Sequence, residues 1–286
     1  MEKTETYKLP ITVLIMTQNE ELNIANTLES IINYFTQIIV VDSNSVDNTI
    51  NICKNYTSVE TYNNTFTHWA TQRNWMLENC SIINDWVFFL DADESINKLF
   101  FSELQEKFHN KKDDINSFFI NKDLYFLGKK LKFSYNHPKI RLIFKRNGLK
   151  YHAEGAREFA SSPGNSLEIK TPLIHEDKRS FDHWIKKHIN NADREMKLYF
   201  EKKESTIKLE YKNIPIALKI RKYIRNNIWS QLPFAIRPFL YFIYRYIFKL
   251  GFLDGKYGFI FCLNHALWYE LLIDIKIIEK INNDKK

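Results

Sequence analysis

An α/β fold with a mostly parallel sheet flanked by helices is what this sequence predicts, followed by a helical, basic and aromatic C-terminal segment. Two observations carry the expectation. Over roughly the first hundred residues, short branched apolar runs alternate with helical patterns, the order of a parallel sheet. Three of those runs stop at polar clusters, Thr17-Gln18-Asn19-Glu20, Asp42-Ser43-Asn44-Ser45 and Asp91-Ala92-Asp93-Glu94. In such sheets ligands bind beyond the carboxyl ends of the strands, so the three clusters are expected to converge on one edge.

The elements follow in order. Residues 11–16 (ITVLIM) read as a buried strand, short and unbroken by polar groups. Residues 21–35 read as a helix, with Leu22, Leu28 and Ile31 or Ile32 at helical spacing. Residues 37–41 (QIIVV) are a second strand, and Asp47 or Asn48 is placed to cap a helix running towards Tyr56. A weaker strand at 59–62, a helix at 67–79 and a strong strand at 86–90 (WVFFL) complete the first half. Beyond it, 116–126 and 139–145 read as strands. A long polar helix is expected at 181–203, with Trp184, His188, Ala192 and Met196 four apart.

Composition narrows the class. The chain has 286 residues, enough to bury a core without disulfides, and 44% of them are hydrophobic. With only seven glycines it contains neither GxGxxG nor GxxxxGK[ST]. Cys53, Cys80 and Cys262 share no metal-like spacing and read as reduced thiols. The N-terminus lacks the layout of a signal peptide, and the C-terminal apolar stretches are interrupted by charges, so no fully spanning helix is expected. The formal net charge is +7, and the window 211–253 has no Asp or Glu but eight basic residues, Lys212, Lys219, Arg221, Lys222, Arg225, Arg237, Arg245 and Lys249. Arg237, Tyr241, Arg245 and Lys249, four apart, form one stripe of a helix whose other faces are aromatic and aliphatic. That mixture suits a helix lying on an anionic leaflet, and its apolar content is too high for an exposed nucleic-acid groove. A turn at 252–258 then leads to a second apolar segment hairpinned back. The expected organisation is a catalytic domain over 1–205, with halves 1–100 and 101–205, and a membrane-associating region over 206–286.

The chemistry centres on Asp91 and Asp93. Two carboxylates one residue apart, past a buried strand, can hold a hard divalent cation and leave its other positions to diphosphate oxygens and water. Asp-x-Asp is also common at strand ends, so the pair alone decides little. Asp42 can accept from a base or ribose; it can equally cap the following helix. Thr17, Asn19 and Glu20 can contact a ligand or simply start a helix. Arg73 can reach phosphate.

The segments LIMTQNEELNIANTLESI, IIVVDSNSVDNTINICKNY, HWATQRNWML and WVFFLDADE, in that order and spacing, resemble family 2 glycosyltransferases of the GT-A fold. By that resemblance Thr17, Asn19, Glu20, Asp42, Arg73 and Asp91 hold the nucleotide-sugar. Asp91 and Asp93 form the metal site for Mn²⁺ or Mg²⁺, with Asp93 the more direct ligand. Gln18 departs from the family pattern. The second half fits less tightly: residues 155–158 resemble the family's acidic acceptor-side motif, with Arg157 where a histidine is usual. Glu158 is therefore the first choice for general base, with Glu154, Glu176 and Asp177 as rivals, and an ion pair to Arg157 or Arg146 is the structural alternative. His175, in LIHEDKRS, resembles the I-H-x-D-x-R block of lipopolysaccharide-core and capsule-type members and is a further candidate for the metal.

The implied activity is inverting transfer of a sugar from a nucleoside-diphosphate sugar, UDP first, to a lipid-linked glycan or a lipopolysaccharide or capsule-type acceptor. The expected location is peripheral, on the cytoplasmic face of the inner (plasma) membrane, with no nucleic-acid partner. A sugar nucleotidyltransferase is the alternative, disfavoured because TQNEEL lacks a glycine-rich basic loop; an inactive membrane-bound scaffold of the same fold is another.

Overall fold

The structure is a computed structural model and describes residues 7–135, 139–154, 157–201, 232–234 and 236–284. The chain divides into two compact units, Met1–Gly128 with Lys139–Arg179, and Lys129–Pro138 with Ser180–Lys286.

The first unit is the expected α/β layer. It runs β1 (Leu9–Thr17), α1 (Ile24–Ile31), β2 (Phe35–Asp42), α2 (Thr49–Lys54), β3 (Val59–Asn63), α3 (Trp69–Asn79), β4 (Trp86–Asp91), β5 (Glu94–Ser95), α4 (Lys98–His109) and β6 (Ile115–Phe126). After the two-residue β7 (Lys129–Lys130) of the second unit come β8 (Ile140–Lys145), β9 (Lys150–Glu154), β10 (Arg157–Ser161) and β11 (Asn165–Glu176). The sheet order is β3-β2-β1-β4-β8-β6-β11-β5, and β9 and β10 form a separate antiparallel pair. β3, β2, β1 and β4 are mutually parallel, as the strand–helix alternation demands. β8 runs antiparallel to both β4 and β6, which makes the whole sheet mixed. Among the described residues no helix lies between β6 and β8 to serve as the crossover a parallel return needs.

Alternation along β1 sends Ile11, Val13 and Ile15 to the face packed by Leu28 and Ile31 of α1. Leu14 goes to the opposite face, with Val41, Phe89 and Met76 of α3. Removing one such fully buried side chain, as in Leu28→Ala, costs about 3 kcal/mol. α1 is shorter than the pattern over 21–35 suggested. Leu22 is exposed, and the Asn23 amide and side chain are used elsewhere, on Glu20 and on Asp177. At α2, Asp47 rather than Asn48 supplies the side-chain cap, accepting from the Thr49 amide at 3.0 Å.

The second unit is helical. α5 (Phe181–Glu201) turns Trp184 and His188 towards Trp268, His265 and Tyr269, and Lys276 pairs with Asp193 at 2.5 Å. α6 (Ile236–Ile243) continues into a π-helical turn, Tyr244–Phe248. Leu250 then adopts a left-handed backbone (φ 61°), which reverses the chain. A continuous helical run follows: a 3₁₀ turn Gly251–Asp254, α7 (Gly255–Phe261), a π segment Cys262–Trp268, and α8 (Tyr269–Asn283). The turn expected at 252–258 is therefore helical, and the reversal falls at Leu250. A Cβ at Gly258 would strike the Gly251 carbonyl and the Ser134 hydroxyl, so only glycine fits there. Asp254 accepts from the amides of Lys132, Phe133 and Ser134, at 3.0, 3.0 and 2.7 Å, and from the Ser134 hydroxyl at 2.7 Å.

Two sequence expectations change here. Arg237 and Arg245 are buried: Arg237 pairs with Asp274, and Arg245 donates to the Ser134 carbonyl. The stripe expected to present basic groups to lipid is thus half internal, because a buried carboxylate and a buried carbonyl each engage one of the two guanidiniums. What the hairpin exposes instead is apolar: Phe239, Leu240, Ile243, Ile247, Phe248, Phe252 and Leu253 are all at least 40% exposed. The run Gly251–Asn283 is also long and apolar enough to cross a membrane by length and composition, where the interrupting charges had suggested none would be. Lys212, Lys219, Arg221, Lys222 and Arg225, and the boundary expected near residue 205, lie outside the described residues.

Candidate active site

The three polar clusters do meet at one rim. Thr17 pairs in register with Asp42, and Met16 with Asp91, so the ends of β2, β1 and β4 lie side by side. Asn19 and Asn44, just past β1 and β2, take left-handed backbones (φ 56° and 59°), which asparagine tolerates better than most residues. These turns knit the first cluster together. Asp42 is buried and accepts from the Thr17 hydroxyl at 2.9 Å, the Ser45 hydroxyl at 2.6 Å and the Ser45 amide at 2.8 Å. Asn19 receives the Val46 amide and donates its own amide to Ser45.

The second cluster surrounds Asp91-Ala92-Asp93. Thr27 of α1 holds the Ala92 carbonyl at 2.7 Å, and the Glu176 amide donates to the Asp93 carbonyl at 3.0 Å. β5 pairs antiparallel with the end of β11, placing His175 opposite Glu94. As a result His175 Nε2 lies 3.8 Å from Asp93 Oδ2, and Nδ1 lies 3.3 Å from Glu94. Burial disfavours charge on His175, but Asp93 and Glu94 outweigh it and raise its pKa above the usual value.

Asp91 faces other partners. Lys122, buried on β6, is 3.2 Å from Asp91 Oδ2 and also contacts Glu94. Arg73 lies 3.6 Å from Asp91 and donates from Nε to Glu158 at 2.7 Å. Burial opposes ionisation of Asp91, yet Lys122, Arg73 and His175 together hold its carboxyl well below the usual range. Arg73 is packed over Phe89 and Tyr151, so its orientation is fixed. The other oxygen of Glu158, Oε2, is buried and has no hydrogen-bond partner among the described residues.

A third group joins β11 to the first cluster. Arg179 bridges Glu20 and Asp177, at 2.7 Å each, and Asn23 also contacts both acids. Burial pushes the Glu20 carboxyl up to about 7 against the pull of Arg179, with Asp93 and Asp177 adding to the rise.

A family model described as glycosyl transferase family 2 matches residues 12–160, just over half the chain. The chain belongs to that family. The match takes in the whole rim from Thr17 to Glu158 and stops before His175. Among curated proteins, an uncharacterized glycosyltransferase of Rickettsia typhi is 31% identical over 104 residues, covering 36% of this chain and 35% of the relative. One from Rickettsia conorii is 31% identical over 114 residues, covering 40% and 39%. The match thus spans little more than a third of these relatives' length. Among solved structures, S. aureus TarS 1–349 in complex with UDP-GlcNAc has a TM-score of 0.46 at 13% identity, covering 97% of this chain and 93% of that one. Glucosyl-3-phosphoglycerate synthase from Mycobacterium tuberculosis with Mn²⁺, UDP and glucosyl-3-phosphoglycerate gives 0.41 at 16% identity, covering 61% and 74%.

Within this family 2 chain, the mixed sheet is flanked by helices, the α/β class the sequence predicted. Every residue singled out for the donor and metal lies in the first unit. Glu158 pairs with Arg73, an arginine not considered for it from sequence; the Arg157 side chain lies outside the described residues. Three residues escaped sequence reasoning. Arg179 was legible as the last residue of the I-H-x-D-x-R block. Glu94 stood in the third polar cluster with no role assigned to it, and Lys122 carried no signal, because a basic residue in a strand looks like a surface group until the fold buries it.

Among the described residues no group of three or more His, Cys, Asp or Glu side chains gathers as a ready-made cation cage. A magnesium-type ion needs only one or two protein ligands when phosphate oxygens and water supply the rest. Asp93 and His175 fit that smaller requirement.

Proposed function

We propose that this family 2 chain transfers a sugar from a nucleoside-diphosphate donor, UDP first, to a hydroxyl of a lipid-linked glycan, with inversion at the anomeric carbon. The observation that carries the reading is the shared rim. Thr17, Asp42 and Asp91 end three adjacent parallel strands, Asp93 follows in the turn after Asp91, and Arg73, paired with Glu158, lies against Asp91.

Asp42, Thr17 and Asn19 shape the end that takes the base and ribose, with Glu20 beside them. Asp93 and His175 would hold a divalent cation, Mn²⁺ or Mg²⁺, which when bound would offset charge on the departing diphosphate. Arg73 positions Glu158 through one oxygen and leaves Oε2 to accept a proton. The acceptor hydroxyl attacks the anomeric carbon, its proton passes to Glu158, and the bond to the diphosphate oxygen breaks with its electron pair on the leaving group. Attack opposite the leaving group inverts the centre.

The exposed apolar face of the helical hairpin supports a peripheral membrane position and hence a lipid-linked acceptor. The cytoplasmic leaflet of the inner membrane suits such an acceptor, since nucleotide-sugars are made in the cytosol. A radiolabelled donor screen across nucleotide-sugars, with Mn²⁺, Mg²⁺ or chelator, tests the reading. Slow metal-dependent hydrolysis of one donor is expected; absence of both hydrolysis and binding for every donor sinks it.

A further inference from the structure

The strands β9 and β10, which carry Glu158, stand apart from the main sheet: among the described residues they pair only with each other. A two-stranded ribbon is marginal by itself, so what grips it decides where Glu158 points. Tyr151 lies opposite Ala160, and Ala153 opposite Glu158, which puts Tyr151, Glu158 and Ala160 on one face. On that face Tyr151 and Ala160 pack in the same apolar cluster as Phe89 and Met76. The Tyr151 ring also lies against Arg73, the partner of Glu158.

The outer edge of β9 is held by a side chain. Asn74, next to Arg73 on α3, donates from Nδ2 to the Tyr151 carbonyl at 2.8 Å and accepts the Tyr151 amide on Oδ1 at 2.9 Å. One side-chain amide thus supplies both bonds that a neighbouring strand would offer. On the β10 edge, Arg141 of β8 donates to the Ala160 carbonyl at 2.7 Å. Two consecutive residues of α3 therefore grip the ribbon, Asn74 through the backbone of β9 and Arg73 through the carboxylate on β10.

Resting on the reading of Glu158 as general base, we propose that Asn74 is a positioning residue for it. By fixing Tyr151, Asn74 sets where β10 lies along Arg73 and so aims the Oε2 atom of Glu158. A base misplaced by about 1 Å loses on the order of 10²-fold in rate. Arg73 cannot replace this grip, because a single bond to Glu158 lets the ribbon pivot about it.

The test is a double-mutant cycle on the full chain, with Asn74→Leu, Glu158→Gln and the two combined. Turnover is followed with the donor found by the screen above, and UDP affinity by calorimetry. Asn74→Leu should lower kcat at least tenfold and leave UDP affinity within about threefold of wild type. Added to Glu158→Gln, it should cost less than about threefold more, because its target is already gone. A fall in kcat smaller than tenfold, an equal loss in both backgrounds, or a loss of UDP binding in step with kcat overturns the proposal. If Asn74→Leu fails to fold, Asn74→Ala, which leaves room for water at the Tyr151 backbone, is put through the same cycle with the same outcomes. Glu158→Gln turning over like wild type sinks the general-base reading, and this inference with it. A loss in Glu158→Gln without one in Asn74→Leu sinks this inference alone.

Discussion

Arg73 on α3 donates to Glu158 on β10 at 2.7 Å across 85 residues of sequence. The pair couples the half of the sheet that ends in the DxD to the hairpin that follows it. It leaves Glu158 oriented, with one oxygen engaged and one available. Glu158→Gln should therefore keep the Arg73 contact and the fold while losing the proton acceptor. Turnover is expected to fall by about 10²–10⁴ with donor affinity nearly unchanged. Steady-state kinetics beside UDP calorimetry check this; a parallel loss of donor binding would assign Glu158 to the scaffold instead.

The two acids of the DxD are not equivalent in this structure. Asp93 lies beside His175, whereas Asp91 lies between Lys122 and Arg73. Asp93→Ala should abolish metal-dependent nucleotide binding without lowering the melting temperature appreciably. Unchanged Mn²⁺-dependent UDP binding in that variant would refute the assignment.

Stability should fall in mild acid. Burial lowers His188 to about 4 and His265 to about 3, from an ordinary value near 6.5. Their neighbours are each other and the Trp184, Phe261 and Tyr269 rings, with Lys187 and Arg245 adding like charge. Below about pH 6.5 the unfolded chain takes up protons that the folded chain refuses until pH 4–3. The stabilisation is thus complete above 6.5 and drains away as pH falls towards 4. With both rings partly exposed, about 1 kcal/mol each is the expected loss by pH 5. Thermal melts of wild type and His188→Gln at pH 7.5, 6 and 5 should converge as pH drops; parallel curves would show that His188 does not contribute.

Membrane association, if the hairpin mediates it, should depend on its apolar tip more than on its arginines. Phe248→Asp combined with Leu253→Asp should abolish co-flotation with liposomes and leave the melting temperature within a few degrees, since both side chains are exposed. Arg245→Ala should do the reverse, destabilising the helices because the Ser134 carbonyl loses its donor. Equal flotation of wild type and the double aspartate variant would remove the hairpin from consideration.

Much of the first unit was readable from pattern alone. Short apolar strands that end in polar clusters left little choice for β1, β2 and β4; the register that sets Thr17 beside Asp42 came only with the structure. The family resemblance then named Asp42, Asp91 and Asp93. Lys122, Glu94 and the Arg73–Glu158 bond were not readable, because each depends on side chains that meet only after β6, β10 and β11 have found their places. The C-terminal stripe misled for a related reason. Four-residue spacing tells which residues share a helix face but not whether that face turns inward, and Asp274 and the Ser134 carbonyl were the unseen partners that drew Arg237 and Arg245 inside.

Asp254 has a consequence for anyone trimming this protein. Its one carboxylate anchors three successive amides of a segment more than 100 residues upstream, inserted between two strands of the sheet. A chain cut short before that aspartate would leave the β6–β8 connection without its clasp, so lost activity in such a fragment would speak about folding rather than about lipid. The terminal helices are a buttress for an early loop as much as an appendage, and substitutions on their outer surface are the cleaner instrument.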